Sequence, residues 1–205
     1  DYNKNKKIIK LSKKVIAGSK YLRRYAEKYN NNVTLIPTCV DLSRFNKSKK
    51  QDKITIGWIG TPSNLKYIQL IAPVLRRLST KYNFQLKVVS SKPIQIDGVR
   101  VLNKKWSILD EAETISSFDI GIMPLDDNAY TRGKCGYKLL QYMAAGMPAV
   151  ASPVGVNNSI IKPGYNGFLA KNDYEWYYYL EKLLTNKKLR EKMGKYAKMQ
   201  RFCES

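Results

Sequence analysis

The sequence contains no histidine, and this absence excludes several kinds of chemistry from the chain. A Ser-His-Asp triad, an imidazole general base and a His-ligated zinc site all require that side chain. The three cysteines, Cys39, Cys135 and Cys203, are too far apart in sequence to form a CxxC pair. We interpret them as reduced thiols of a cytosolic protein. No GxGxxG follows any predicted strand, which disfavours a dinucleotide-dependent dehydrogenase.

Long hydrophobic runs are absent as well. No stretch of about 18 apolar residues occurs, so the sequence predicts no membrane-spanning helix. Residues 1–14 lack the apolar core of a signal peptide. Apolar residues nevertheless make up 43% of the 205 residues. That content is enough for a hydrophobic core and excludes wholesale disorder.

Acidic residues are scarce: 16 Asp and Glu stand against 37 Lys and Arg, which gives a formal net charge of +21. Such an excess favours nucleic acid, a membrane surface or a phosphorylated ligand as partner. Residues 106–170 have a net charge of −2, however, whereas the segments on either side are positive. We therefore attribute the excess to surface behaviour, for which a loose hold on an anionic membrane and a plain lysine-rich bias are equally good explanations. No nucleic-acid-binding motif accompanies the charge, so we expect no nucleic acid partner.

Short β-branched runs alternate with helical patterns, which predicts a parallel α/β sheet with helices on both faces. A helical pattern from Leu65 to Leu78 contains Pro73, which should kink it. A short helix is predicted around Ala112. Ligands of such sheets bind at the carboxyl ends of the strands. The predicted strands lie at 15–18, 33–36, 54–60, 85–90, 98–102, 119–125, 148–152 and 167–170, and the other predicted helices at about 19–29, 136–145, 173–185 and 187–203.

The most specific motif is RGKCGYKLLQYMAAGMPAVASPVG at 132–155, a glycine-containing turn that leads into a predicted helix. A helix N-terminus presents unpaired N–H groups and the positive end of its dipole, and glycines let an anion approach the backbone. Lys134, Lys138 and Gln141 are spaced i, i+4 and i+7, which places them on one helix face. The same spacing fits an ordinary amphipathic helix with two solvated lysines.

This segment resembles the donor-binding motif of retaining GT-B glycosyltransferases of group 1, roughly Glu-x-x-Gly-x-x-x-x-Glu-Ala-Met-Ala-x-Gly-x-Pro-Val-Val-Ala. The likeness is carried by YMAAGMPAVASPVG at 142–155, and further blocks follow the family's order over about 15–205: VIAGSKYL, NVTLIPTCVDLSRF, IGWIG, DIGIMPL and PGYNGFLA. It implies a Rossmann-like parallel sheet with helices on both faces, the C-terminal half of a GT-B fold. It also implies three parts: the end of an N-terminal acceptor domain with the inter-domain linker at 1–45, a nucleotide-sugar domain at 46–190, and a helix crossing back toward the first domain at 191–205.

The resemblance also implies roles for individual residues. Gln141 stands where the family usually has the glutamate that holds the ribose of the donor, and Gly133 where it has the glutamate that contacts the sugar. Lys134 and Lys138 would stabilise the departing diphosphate. The helix start at Cys135, Gly136 and Tyr137 would bind the same group.

A second part of the expected donor site follows the strand at 54–60. The family often carries an Arg and a Lys there, but Trp58 occupies the Arg position and the lysine is displaced to Lys66. Gly60 and Thr61 would line the phosphate site. Three residues have an alternative interpretation: Asn64 as a helix N-cap, which we favour over a ligand, and Lys66 and Arg132 as solvated surface residues rather than phosphate contacts.

The function that the resemblance implies is retaining transfer of a sugar from a nucleotide-diphosphate sugar to a glycan or lipid-linked acceptor. It implies no cofactor and no metal, so we interpret Asp126 and Asp127 as a polar loop, and Glu111 and Glu113 as solvated. We expect a cytoplasmic protein, for which a peripheral contact with an anionic membrane also fits, and a fragment that binds donor but transfers poorly alone. The alternatives are a GT-B-fold sugar-nucleotide epimerase and a basic nucleic-acid-binding module.

Overall fold

A computed structural model describes residues 2–45 and 53–199. Strands and helices alternate through these two ranges, as the sequence predicts. The strands are β1 Val15–Ala17, β2 Val33–Leu35, β3 Ile54–Ile59, β4 Phe84–Val89, β5 Val101–Lys104, β6 Ile120–Met123, β7 Ala149–Ala151 and β8 Gly167–Leu169. The helices are α1 Tyr2–Leu11, α2 Lys20–Ala26, α3 Lys66–Gln69, α4 Ala72–Ser79, α5 Glu111–Ser116, α6 Ala129–Arg132, α7 Tyr137–Ala144, α8 Asn157–Ile160, α9 Asp173–Thr185 and α10 Lys187–Met199, with 3-10 turns at Leu42–Arg44 and Pro62–Asn64.

Six strands form one parallel sheet in the order β5-β4-β3-β6-β7-β8, and β1 and β2 form a separate parallel pair. The predicted α/β fold is thus confirmed. The chain moves outward from β3 to β5 and then returns to β6 on the other side of β3. This reversal leaves a crevice outside the carboxyl ends of β3 and β6, where ligands of open parallel sheets bind.

Two glycines that pair across β3 and β6 fix the position of helix α7. Gly57 and Gly121 are register partners, and a Cβ on either would overlap an aromatic ring, that of Phe118 or Tyr142. Tyr142 of α7 is fully buried. Its hydroxyl donates to the Ile122 carbonyl and accepts from the Ile59 amide, both at 3.3 Å. Helix α7 is therefore tied to the carboxyl ends of the two strands that border the crevice.

Helices cover both faces of the large sheet, and each face has its own hydrophobic core. One core includes Leu75 of α4 and Leu180 of α9, and the other includes Ile115 of α5 and Leu139 of α7. The segment before residue 46 packs on the second core through Phe45, which is 3% exposed. None of the helices in the described ranges is long and apolar enough to cross a membrane.

Pro73 breaks the helical pattern of residues 65–78 into two helices. Helix α3 ends at Gln69, and α4 begins at Ala72 with the proline in its first turn. A proline fits there because the first N–H groups of a helix need no intrahelical partner. The sequence correctly predicts an interruption at this point.

Several boundaries differ from the expected ones. The strand expected at 98–102 is β5 at Val101–Lys104, because Gly98 has φ of +73° and belongs to a turn. Helices α1, α6 and α8 were not predicted; α6 owes its start to a capping box between Asn128 and Thr131. Three expected features lie in part outside the described residues: the boundary at 46, the linker at 46–52 and the helix end beyond Met199.

Candidate functional site

A cavity of about 460 Å³ opens at the crevice between β3 and β6. Three segments form its walls: the turn after β3, the loop after β5 and the start of α7. Nine of the twelve residues predicted for the donor site line it, and three do not. The nine are Gly60, Thr61, Asn64, Lys134, Cys135, Gly136, Tyr137, Lys138 and Gln141.

The N-terminus of α7 is built to leave its backbone accessible. Gly136 precedes the helix with φ of +71°, a conformation that favours glycine, and a Cβ there would overlap Ile160. No side chain caps this N-terminus. The first N–H groups of α7 therefore meet the cavity, where the helix dipole favours negative charge.

Lys134 bridges two walls of the cavity. Its Nζ donates to Asn64 Oδ1 at 3.2 Å and lies 4.6 Å from the centroid of the Tyr130 ring. Asn64 Nδ2 donates in turn to Thr61 Oγ1 at 2.8 Å. The preferred interpretation of Asn64 as a helix N-cap is therefore wrong, because its side chain bonds within the turn and across the cavity instead.

Lys138 is the second cation of the cavity, and it is half-buried. Its Nζ lies 5.3 Å from the centroid of the Trp58 ring, and its Cε packs where a Cβ on Gly60 would stand. Burial, with a smaller contribution from the charge of Lys134, lowers the pKa of Lys138 to about 8. Among the described residues neither lysine pairs with a carboxylate, so the positive charge of this cavity has no protein counter-charge.

Gln141 supplies an unsatisfied polar group to the same cavity. The residue is 1% exposed, and its Nε2 has no hydrogen-bond partner among the described residues. A buried amide without a partner costs about 1–3 kcal/mol. The group is therefore placed to donate to a bound ligand.

Three predicted residues lie outside the cavity lining. Arg132 forms a bidentate pair with Asp127 at 2.6 and 3.1 Å, which lowers the pKa of that carboxyl. Lys66 is exposed, with its Nζ 5.2 Å from the centroid of the Tyr67 ring. Gly133 ends α6 and packs against Leu22. No group of acidic and thiol side chains suited to a metal ion is found within residues 2–45 and 53–199.

The sequence analysis missed two residues of the cavity lining, Trp106 and Glu111. Glu111 is not solvated, as expected, but has a side chain only 11% exposed. Its Oε1 accepts from Trp106 Nε1 at 2.8 Å, and its Oε2 lies 3.9 Å from Arg44. The available signal was position: Trp106 comes directly after β5, whose carboxyl end lies at the ligand-binding edge of the sheet.

Comparison with known families now assigns the chain. The family model described as glycosyl transferases group 1 matches residues 39–200. The chain belongs to this group 1 glycosyltransferase family. No protein of the curated set matches it by sequence.

Solved structures share the fold of this group 1 domain. S. aureus TarM, crystallised with fondaparinux, alpha-GlcNAc-glycerol and UDP, is 17% identical with a TM-score of 0.74. Anabaena HepE in complex with UDP and glucose is 14% identical with a TM-score of 0.74. WaaG, a glycosyltransferase of lipopolysaccharide biosynthesis, is 20% identical with a TM-score of 0.72. The matches cover 96%, 93% and 90% of this chain but only 42%, 58% and 57% of those proteins.

A second cavity of about 600 Å³ adjoins the first in this glycosyltransferase domain. It lies between the turn from β1 to α2 and the segment 155–160, and Cys135 belongs to the lining of both cavities. Cys135 and Cys39 carry free thiols, whereas Cys203 lies outside the described residues. The domain thus offers two adjacent spaces at one edge of its sheet.

Proposed function

We propose that the chain is the donor-binding half of a retaining group 1 glycosyltransferase and binds a nucleotide-diphosphate sugar in the 460 Å³ cavity. One observation carries this proposal: Lys134 and Lys138, without a carboxylate partner in the described residues, flank the uncapped N-terminus of α7. A diphosphate is the ligand that such a site favours. The complexes of the HepE and TarM structures with UDP support the choice of donor.

The difficult step of the proposed reaction is departure of the nucleoside diphosphate from the sugar. Negative charge grows on the leaving phosphate as the bond from its oxygen to the anomeric carbon breaks. The α7 N-terminus, Lys134 and Lys138 stabilise that charge more in the transition state than in the ground state. Loss of one such contact typically costs about 10²–10³ in rate.

Retention follows if the acceptor hydroxyl attacks the anomeric carbon from the face that the diphosphate leaves. The acceptor oxygen forms the new bond, and its proton passes to the departing phosphate oxygen. No protein nucleophile takes part, so the residues of this chain bind and orient the donor. Gln141 would hold the ribose, because an amide both donates and accepts hydrogen bonds.

The acceptor, a glycan or a lipid-linked glycan, would reach the donor through the second cavity. The two spaces adjoin at Cys135, so an acceptor there stands next to the donor. The ligands of TarM support an acceptor that carries a sugar.

A thermal-shift panel of UDP, GDP, ADP and their sugars tests the donor site. Ligands that bind only the folded state raise the melting temperature by mass action, so nucleotides of one base should stabilise the chain. The Lys138→Ala variant should lose most of that shift, whereas Lys188→Ala, which removes an exposed lysine of α10, should keep it. Absence of any shift across the panel would refute the proposal.

A further inference from the structure

Trp106 differs from the other tryptophans of the chain. Trp58 and Trp176 are 1% and 4% exposed, whereas Trp106 is 46% exposed and lines the cavity that also contains Lys134 and Lys138. Among the described residues no other ring stacks on it and no cation lies over it. An aromatic face open to a ligand cavity is a binding surface for another π-system.

The ring of Trp106 is held from its polar edge. Its Nε1 donates to Glu111 Oε1 at 2.8 Å. The other oxygen of Glu111 lies 3.9 Å from Arg44, which also donates to the Ile108 carbonyl at 3.3 Å. Because a tryptophan side chain turns about only two torsions, one hydrogen bond at the indole nitrogen sets the direction of its face. The ring is therefore oriented before any ligand arrives.

Position along the sheet separates Trp106 from the cationic part of the cavity. Trp106 follows β5, whereas Gly60 and Thr61 follow β3, two strands away. Neighbouring strands lie about 4.8 Å apart, so the two ends of the cavity differ by roughly 10 Å along this edge. A nucleotide separates its base from its diphosphate by one ribose, which suits such an arrangement.

We propose that Trp106 is the surface on which the nucleobase of the donor stacks, and that Glu111, tied to Arg44, is the positioning residue that fixes its ring. This inference rests on the proposed donor site. It assigns the base end of the cavity, whereas Lys134, Lys138 and the α7 N-terminus take the diphosphate. Stacking tolerates every base, so selection among bases must come from other groups.

The test compares a ligand that has a base with one that has none. Calorimetric titration of the 205-residue chain would use pyrophosphate and whichever of UDP, GDP and ADP stabilises it most. Trp106→Ala should weaken the nucleoside diphosphate by roughly 5- to 150-fold, the range expected for one stacked base. It should leave pyrophosphate within about twofold, and Trp106→Phe should restore most of the loss. Tyr174→Ala, which removes a tyrosine 75% exposed on α9, should change neither ligand.

Tryptophan fluorescence gives a readout that a structural role would not move. Because Trp58 and Trp176 are buried, quenching by a stacked base reports on Trp106 alone. The nucleoside diphosphate should quench the emission and shield it from acrylamide, and pyrophosphate should do neither. Glu111→Gln should reduce the quenching while leaving pyrophosphate affinity unchanged, since it weakens only the hold on the ring.

The outcomes separate this inference from the proposed function. If Trp106→Ala binds the nucleotide as tightly as the wild type while Lys138→Ala does not, base stacking is wrong and the donor site stands. Equal losses for nucleotide and pyrophosphate would make Trp106 structural and overturn the inference. If no nucleotide binds the wild-type chain, the donor site itself is wrong and the inference is refuted with it.

Discussion

Lys134 Nζ donates a hydrogen bond to Asn64 Oδ1 across 3.2 Å, and this contact joins two turns that are 70 residues apart in sequence. One turn follows β3 and the other precedes α7. The bond therefore places a lysine over the cavity before an anion binds, and it lowers the ordering cost of binding.

Replacing Asn64 by alanine should release Lys134 from this position. The loss of one hydrogen bond to a partly exposed charged group is worth about 1 kcal/mol, or roughly a fivefold weaker diphosphate affinity. Calorimetry with pyrophosphate measures the change. Asn83→Ala, at an exposed asparagine outside the cavity, serves as the control, and an equal loss there would contradict the role of Asn64.

The pKa of Lys138 gives the donor site a pH dependence. Its pKa is about 8 in the folded chain, so the side chain is charged below that pH and neutral above it. Affinity for a nucleotide sugar, whose diphosphate diester does not titrate in this range, should fall as the pH rises from about 7 to about 9. Lys138→Arg stays charged throughout and should flatten the dependence, and a wild-type profile as flat as that of the variant would contradict the account.

The same group predicts an opposite trend for stability. The pKa of Lys138 is lowered in the folded chain from an ordinary value of 10.5, so between about 8 and 10.5 the unfolded state binds more protons. The free energy of unfolding should therefore rise with pH through this window. Urea titrations of the wild type and of Lys138→Met isolate the contribution: the difference between them should shrink or reverse from about pH 7 to about pH 10.

Gln141→Leu should separate ligand binding from folding. The variant removes a buried amide nitrogen without a partner and keeps a similar volume, so the melting temperature without ligand should stay the same or rise. The nucleoside diphosphate should bind more weakly, by about 1–3 kcal/mol, because a hydrogen bond to the ribose is lost. A lower melting temperature with unchanged affinity would show that Gln141 serves packing only.

Gly136→Ala tests the construction of the α7 N-terminus. Gly136 and Gly164 both have positive φ, +71° and +79°, but a Cβ overlaps Ile160 at Gly136 and meets nothing at Gly164. Both alanine variants should lose about 1 kcal/mol of stability from the backbone. Gly136→Ala should lose more, together with diphosphate affinity. Equal urea midpoints for the two variants would show that the contact with Ile160 carries no energy.

Much of the fold was predictable because strand and helix patterns are local. Runs such as ITIGWIG and the alternation of periods determine a parallel sheet, and parallel strands bring their carboxyl ends to one edge. That rule, with the resemblance of residues 132–155 to a family motif, brought nine predicted residues into one cavity. The start of β5 was predicted too early because a turn at Gly98 interrupts the β-branched run.

The rest depends on side-chain partners from distant parts of the chain. Asn64 has the sequence of an N-cap, yet Lys134 decides its role. Arg132 suits a phosphate by charge, yet Asp127 already occupies its guanidinium. Glu111 looks solvated by periodicity, but Trp106 and Arg44 enclose it. Such pairings follow from tertiary geometry, which residue spacing does not contain.

The central claim, that the paired lysines at α7 hold a donor diphosphate, is tested most directly by one titration. The nucleoside diphosphate that best stabilises the chain would be titrated into the wild type, the Lys134→Ala/Lys138→Ala variant and a Lys188→Ala/Lys192→Ala control with the same loss of charge. The account predicts saturable one-site binding by the wild type and the control, and at least a tenfold weaker affinity for the first variant. Equal affinities for all three proteins would contradict it.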